Sequence, residues 1–213
     1  MLPVVLLVAA LVVAAVDWWS VRRERRDVER VAKPLTMLLL VGVAVTWGDL
    51  DAGARGWLVA GAGLGVVGDV ALLREGDRAF MSGLVAFALG HLAYVVAALR
   101  IDFAVGSATV GLVASIALVS YRFVPRAVRG AAATGGSVLA VAVVGYAVVI
   151  GAMTTTAWGT GSLLAGVGAV AFAGSDWVLG HHRFIGPFPG GRLAVMVPYH
   201  VGQALLVIGL ARA

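Results

Sequence analysis

No cysteine occurs among the 213 residues. That absence excludes a disulfide framework, a thiolate nucleophile and any cysteine-ligated zinc. Charge is scarce as well, with 13% of residues Asp, Glu, Lys or Arg against 61% hydrophobic. No HExxH zinc motif is present, and no G-x-S-x-G elbow surrounds Ser82, Ser115, Ser120, Ser137, Ser162 or Ser175. Walker and dinucleotide glycine spacings are missing too. The glycines of "TGGS" near residue 135 lie in apolar helical context and read as packing residues. Long linkers and low-complexity segments are also absent, so residues 1–213 read as a single domain.

What the chain has is apolar sequence in long runs. A mean hydropathy of +1.00 is far outside the soluble globular range and indicates an all-α, polytopic membrane bundle. Breaks marked by charge, glycine or proline separate eight expected transmembrane helices, at about 2–19, 34–50, 57–73, 80–99, 103–121, 131–152, 161–180 and 193–211. The first run, Leu2 to Val16, has arginines after it rather than before it, the reverse of a secretory signal, and is expected to be a retained span.

The net charge of +5 does not suggest nucleic acid here, because the basic residues sit in short connections between apolar runs. Alternate connections hold 6, 2, 3 and 2 Lys plus Arg, leaving Arg55, Arg100 and Arg212 for the other side. This bias predicts both termini outside and the basic connections cytoplasmic, in a bacterial-type plasma membrane. The largest cluster, "RRERRDVERVAK", is expected to be a solvated topology anchor, with attraction to anionic lipid head groups as the functional alternative.

Two aspartates interrupt apolar runs at matching places: Asp69 in "VVGDVALL" and Asp176 in "AGSDWVLG". Each is expected about four residues, or about 6 Å, from the cytoplasmic end of its helix. An ionisable group in a span is costly and usually faces a cavity or a partner, although one so shallow could simply cap a neighbouring helix. Gly61, Gly65 and Asp69 stand four apart, so another backbone should approach the face that carries the carboxylate. His91 follows Asp69 by 22 residues and His200 follows Asp176 by 24, a weak echo that suggests a parallel four-plus-four repeat.

His91 and Tyr94 share a helix face, as do Tyr199 and Gln203. They could orient a head group or a water molecule, or bond between helices. The adjacent His181 and His182 do not naturally converge on a metal, and no metal or other cofactor is expected.

Along the chain stand, in order, Lys33-Pro34; the "GD" of Asp69; Phe80, Gly83, Phe87, His91 and Tyr94; Tyr146 and Met153; the "SD" of Asp176; and Tyr199 with Gln203. Together these motifs resemble the YhhN family, the lysoplasmalogenases. The resemblance implies an integral membrane hydrolase acting on the vinyl ether of a lysophospholipid, with release of a fatty aldehyde and a glycerophospho-ethanolamine or -choline. It implies Asp69 and Asp176 as the catalytic pair. Lys33, His91, Tyr94, Tyr199 and Gln203 are expected to bind the substrate. The residues alone leave two alternatives open: a small proton- or cation-coupled transporter, and a metal-dependent lipid hydrolase using His91, His200 and the aspartates.

Overall fold

A computed structural model describes residues 1–118 and 123–213. Among the described residues there are eight helices and no strand: α1 (Leu2–Arg22), α2 (Arg26–Thr46), α3 (Ala52–Leu72), α4 (Asp77–Leu99), α5 (Val105–Leu118), α6 (Phe123–Gly159), α7 (Leu163–Phe184) and α8 (Gly191–Ala211). Six of them, α1, α3, α4, α6, α7 and α8, are long and apolar enough to cross a membrane. α2 spends its first two turns on charged residues, and α5 is described over 14 residues. The end of the expected fifth helix, with Ser120, lies outside the described residues.

The chain runs up and down, and consecutive helices pack on each other except α4, which packs on α6 rather than on α5. α2, α3, α4, α6, α7 and α8 form a ring closed by α4 on α6 and α2 on α8; α1 lies outside α2 and α8, and α5 outside α6 and α7. Glycine permits the closest approaches. A Cβ on Gly90 would stand 3.0 Å from the Gly61 carbonyl oxygen, and one on Gly168 would stand 2.8 Å from that of Gly202. The expected approach to the face of α3 that ends in Asp69 is thus made by α4 at Gly61, while Gly65 turns towards Met37 and Gln203.

Several helix bounds differ from the sequence expectation, and two of the differences reshape the bundle around the site. α2 begins at Arg26 rather than near 34, with Asp27 and Glu29 in its first turn complementing the helix dipole. The cluster expected as a solvated anchor therefore lies mostly within α2, which turns Glu29 and Lys33 into the protein, where both are buried.

The second departure is in α6. Gly135 (φ −133°, ψ 16°) and Gly136 (φ 68°, ψ −166°) leave the helical region and break the element in two. They are not packing glycines: Gly136 adopts a backbone that a side chain would strain, and it has open space around it. Residues 137–159 rise about 34 Å and match a bilayer core, whereas 123–134 form a separate segment of about 18 Å at the basic end. That segment packs on the end of α7, where a Cβ on Gly130 would collide with the Phe184 carbonyl.

The opposite end is closed by Arg55, whose guanidinium donates to the carbonyls of Ala44, Val45, Trp47, Gly48 and Leu50 and so satisfies the C-terminus of α2. One of the three basic residues that did not fit the charge bias thus has a capping role.

Candidate active site

Polar side chains converge at the basic end of the bundle. Lys33 from α2, Asp69 from α3, Asp176 from α7 and Tyr199 from α8 line one cavity of about 320 Å³, together with Glu29 and Arg192. Two consecutive pairs, α2 with α3 and α7 with α8, distant from each other in sequence, supply these groups because α3 and α7 both descend to this end while α2 and α8 both leave from it.

Asp69 stands three residues before the end of α3 and is fully buried. Its Oδ2 accepts a hydrogen bond of 2.8 Å from the Tyr199 hydroxyl. Lys33 Nζ lies 3.3 Å from its Oδ1, a contact of opposite charges whose side chains are 5% and 0% exposed. Oδ1 takes no well-aligned hydrogen bond, so the ammonium serves it chiefly as a charge partner. The same ammonium lies 5.9 Å from the centroid of the Tyr199 ring.

Asp176 is held differently. α7 continues to Phe184, so this carboxyl lies eight residues, or about 12 Å, from the helix end instead of the expected 6 Å. It is half-buried, and its Oδ2 accepts a short bond of 2.6 Å from the Tyr146 hydroxyl on α6. No cation pairs with it among the described residues.

Asp176 also lines a second cavity, of about 100 Å³ and almost wholly apolar, between α4, the two parts of α6, and α7. Leu84, Val143, Ala147 and Ile150 are among its walls. The two cavities share Leu72, Phe80, Phe87, Asp176 and Leu179, which makes Asp176 the polar group at the junction of a charged space and an apolar groove.

Of the other expected binding residues, His91, Tyr94 and Gln203 line neither cavity. Tyr94 donates to Gln203 Oε1 at 2.9 Å, a buried bond between α4 and α8 that commits these two side chains to each other. His91 is wedged among Phe87, Phe172 and Tyr146, with the Phe172 ring 4.5 Å away centroid to centroid and neither nitrogen hydrogen-bonded. These rings, with Tyr199, form an aromatic floor under the polar cavity. His200 accepts a bond from Trp18 Nε1 at 3.1 Å. Among the described residues no three His, Asp or Glu side chains are grouped as a metal set.

Three groups carry more than their sequence context suggests. Glu29 receives the Arg192 guanidinium at 2.6 Å, and the signal for it is the helical spacing of Arg26, Glu29, Arg30 and Lys33, which places one carboxylate on a basic helix face. Asp17, on α1, is fully buried with neither oxygen hydrogen-bonded; its position in "VAAVDWW" is the available signal. Tyr146 stands out in the sequence only as a motif member, and its bond to Asp176 depends on how α6 packs against α7.

Chemically, the cavity presents its two aspartate carboxyls in unlike settings. One faces a cation and a phenol, and the other faces a phenol alone at the edge of an apolar groove. Unlike settings are what assign unlike acid–base roles to two carboxyls. The sequence pattern of the YhhN family matches residues 28–210. No curated protein and no solved structure matches the chain. A match running from the charged face of α2 to the last turn of α8 covers nearly the whole bundle, and the chain belongs to the YhhN family.

Proposed function

We propose that the protein is a membrane-embedded ether hydrolase that cleaves the vinyl ether of alkenyl lysophospholipids, with Asp176 as the acid and Asp69 as the ionised partner. The observation that carries this reading is the junction at Asp176. A lysoplasmalogen is charged at one end and apolar at the other, and its vinyl ether sits where the two meet. A polar cavity and an apolar groove joined at a carboxyl have the same layout.

The difficult step in vinyl ether hydrolysis is protonation of the β-carbon, which requires a positioned acid. A carboxyl at the edge of an apolar groove with no cation beside it keeps its proton more readily than one beside an ammonium, which favours the charged form. Lys33 accompanies Asp69, and Asp176 has Tyr146 instead. With Tyr146 donating to Oδ2, the acid proton of Asp176 resides on Oδ1. Transfer of that proton to the β-carbon leaves an Asp176 carboxylate and an oxocarbenium ion, which the negative charge of Asp69 stabilises. Water adds to the cationic carbon and gives its proton back to Asp176. The hemiacetal then collapses to a fatty aldehyde and a glycerol hydroxyl, so the protons balance over the cycle.

Orientation follows the charge bias, with both termini outside and the polar cavity at the cytoplasmic surface of a bacterial-type plasma membrane. A four-plus-four repeat has support in the packing as well. Gly61 and Gly168 stand the same distance before Asp69 and Asp176, and each lies at the close approach of its helix to the next.

The decisive experiment offers purified protein alkenyl and acyl lysophospholipids in parallel, with products identified by mass. Aldehyde from the alkenyl lipid alone is the expected result, and Asp69→Asn and Asp176→Asn should each abolish it in folded protein. Fatty acid release from the acyl lipid, or turnover retained in both variants, would reject the reading.

A further inference from the structure

The polar cavity does not end at Glu29. It continues outward into a vestibule of about 560 Å³ between the first turns of α2 and the end of α3, and the two spaces share Arg26, Glu29, Arg74 and Glu75. The charges here are of both signs, and most of them are uncommitted. Glu29 is neutralised by Arg192, and Asp77 nearby by Arg183. Arg26, Arg30, Arg74 and Glu75 are exposed and make no ion pair among the described residues.

Position agrees with charge. Arg26, Glu29, Arg30 and Lys33 are spaced i, i+3, i+4 and i+7, so they share one face of α2, which descends about 10 Å from the vestibule to the carboxylates. Arg74 follows Asp69 by five residues, or about 8 Å if the helical rise continued. A phosphate bearing an amine, linked through glycerol to an ether oxygen, lies about 6 Å from that oxygen, and its ammonium lies roughly 11 Å away when extended, at about 1.27 Å per bond.

We propose that this vestibule is a subsite for a zwitterionic phosphodiester head group, with Arg74 and Arg26 taking the phosphate and Glu75 taking the terminal ammonium. Arg74 and Arg26 supply donors that suit phosphate oxygens, and Glu75 is the unpaired carboxylate beside them. The inference rests on the proposed reading of the cavity as a lipid site, but it concerns recognition and not bond cleavage.

Binding of the saturated ether analogues, which lack the vinyl bond and are not cleaved, tests it separately from the chemistry. Affinities of alkylglycerophosphoethanolamine, alkylglycerophosphate and alkylglycerol are read by tryptophan fluorescence in detergent for the wild type, Glu75→Gln and Arg74→Gln. Glu75→Gln should weaken the ethanolamine lipid about 10-fold and leave alkylglycerophosphate unchanged or tighter. Arg74→Gln should weaken both phosphate lipids about 10-fold and leave alkylglycerol unchanged. Equal affinities across the three lipids, or variants that shift all three together, would overturn the subsite. Inorganic phosphate should not displace the ethanolamine lipid at matched concentration, and displacement would make this a free-anion site and overturn the head-group assignment. If the wild type shows this pattern of binding but releases no aldehyde from an alkenyl lipid, the subsite stands and the proposed reaction falls.

Discussion

Replacing Lys33 with Met keeps the length of the stem and removes the charge, which leaves the carboxylate of Asp69 buried without its cation. The two charges are 3.3 Å apart with side chains 5% and 0% exposed, so their attraction is about 5 kcal/mol at an effective dielectric of about 20. Most of that offsets the desolvation of both groups. Breaking such a pair from one side nonetheless costs about 3–5 kcal/mol, because the remaining charge keeps its penalty. At about 2–4 °C per kcal/mol for a chain of this size, Lys33→Met and Asp69→Asn should each melt roughly 6–20 °C below the wild type. The double variant removes both charges and should recover to within a few degrees of the wild type. Thermal unfolding in one detergent, measured for all four proteins, gives the coupling directly. A double variant that loses the sum of the two single losses would show that the charges do not interact, and the assignment of Asp69 as the ionised carboxylate would go with it.

Other perturbations address the acid, the groove and the scaffold. Tyr146→Phe removes the 2.6 Å donor to Asp176 and should lower kcat about 10-fold, or about 1.4 kcal/mol, with folding intact; an unchanged kcat would remove Tyr146 from the positioning of the acid. Ala147→Trp projects a large ring into the apolar groove and should raise KM for a long alkenyl chain about 10-fold while sparing a chain of a few carbons. Equal effects on both chains would mean that the tail lies elsewhere. Gly61→Ala places a methyl 2.6 Å from the Tyr94 ring and 3.0 Å from the Gly90 carbonyl, so overpacking of about 1–3 kcal/mol should lower the melting temperature by roughly 2–12 °C. Arg55→Ala, far from the site, should melt lower by a few degrees and retain full turnover per folded molecule; lost turnover would tie that end of the bundle to catalysis.

The helices are legible in the sequence because apolar runs of membrane length have few alternatives, and the two aspartates because a carboxylate in such a run is too costly to be incidental. Composition shows less at the places where neighbours decide the outcome. Tyr94 and Gln203 look as available for a ligand as Tyr199 does in sequence, yet they bond each other while Tyr199 reaches Asp69. Glu29 is hidden among charged neighbours because a hydropathy reading starts α2 where the apolar run starts, whereas its dipole and helical spacing start it two turns earlier. Gly135 and Gly136 look like packing glycines, since nothing in four residues distinguishes a close contact from a break. The bend they make sets 123–134 beside α7 and gives the groove one of its walls.

That wall bears on how the products part after cleavage. Among the described residues, the apolar space and the charged space share Asp176 and four hydrophobic neighbours and otherwise have separate walls. In the proposed reaction each half of the severed lipid therefore has its own exit. The aldehyde leaves by the apolar groove, away from water-borne amines that would trap it, while the soluble diester leaves through the vestibule. Neither product needs to wait for the other, so inhibition by added diester should be relieved by fresh substrate and should not depend on how much aldehyde has built up in the membrane.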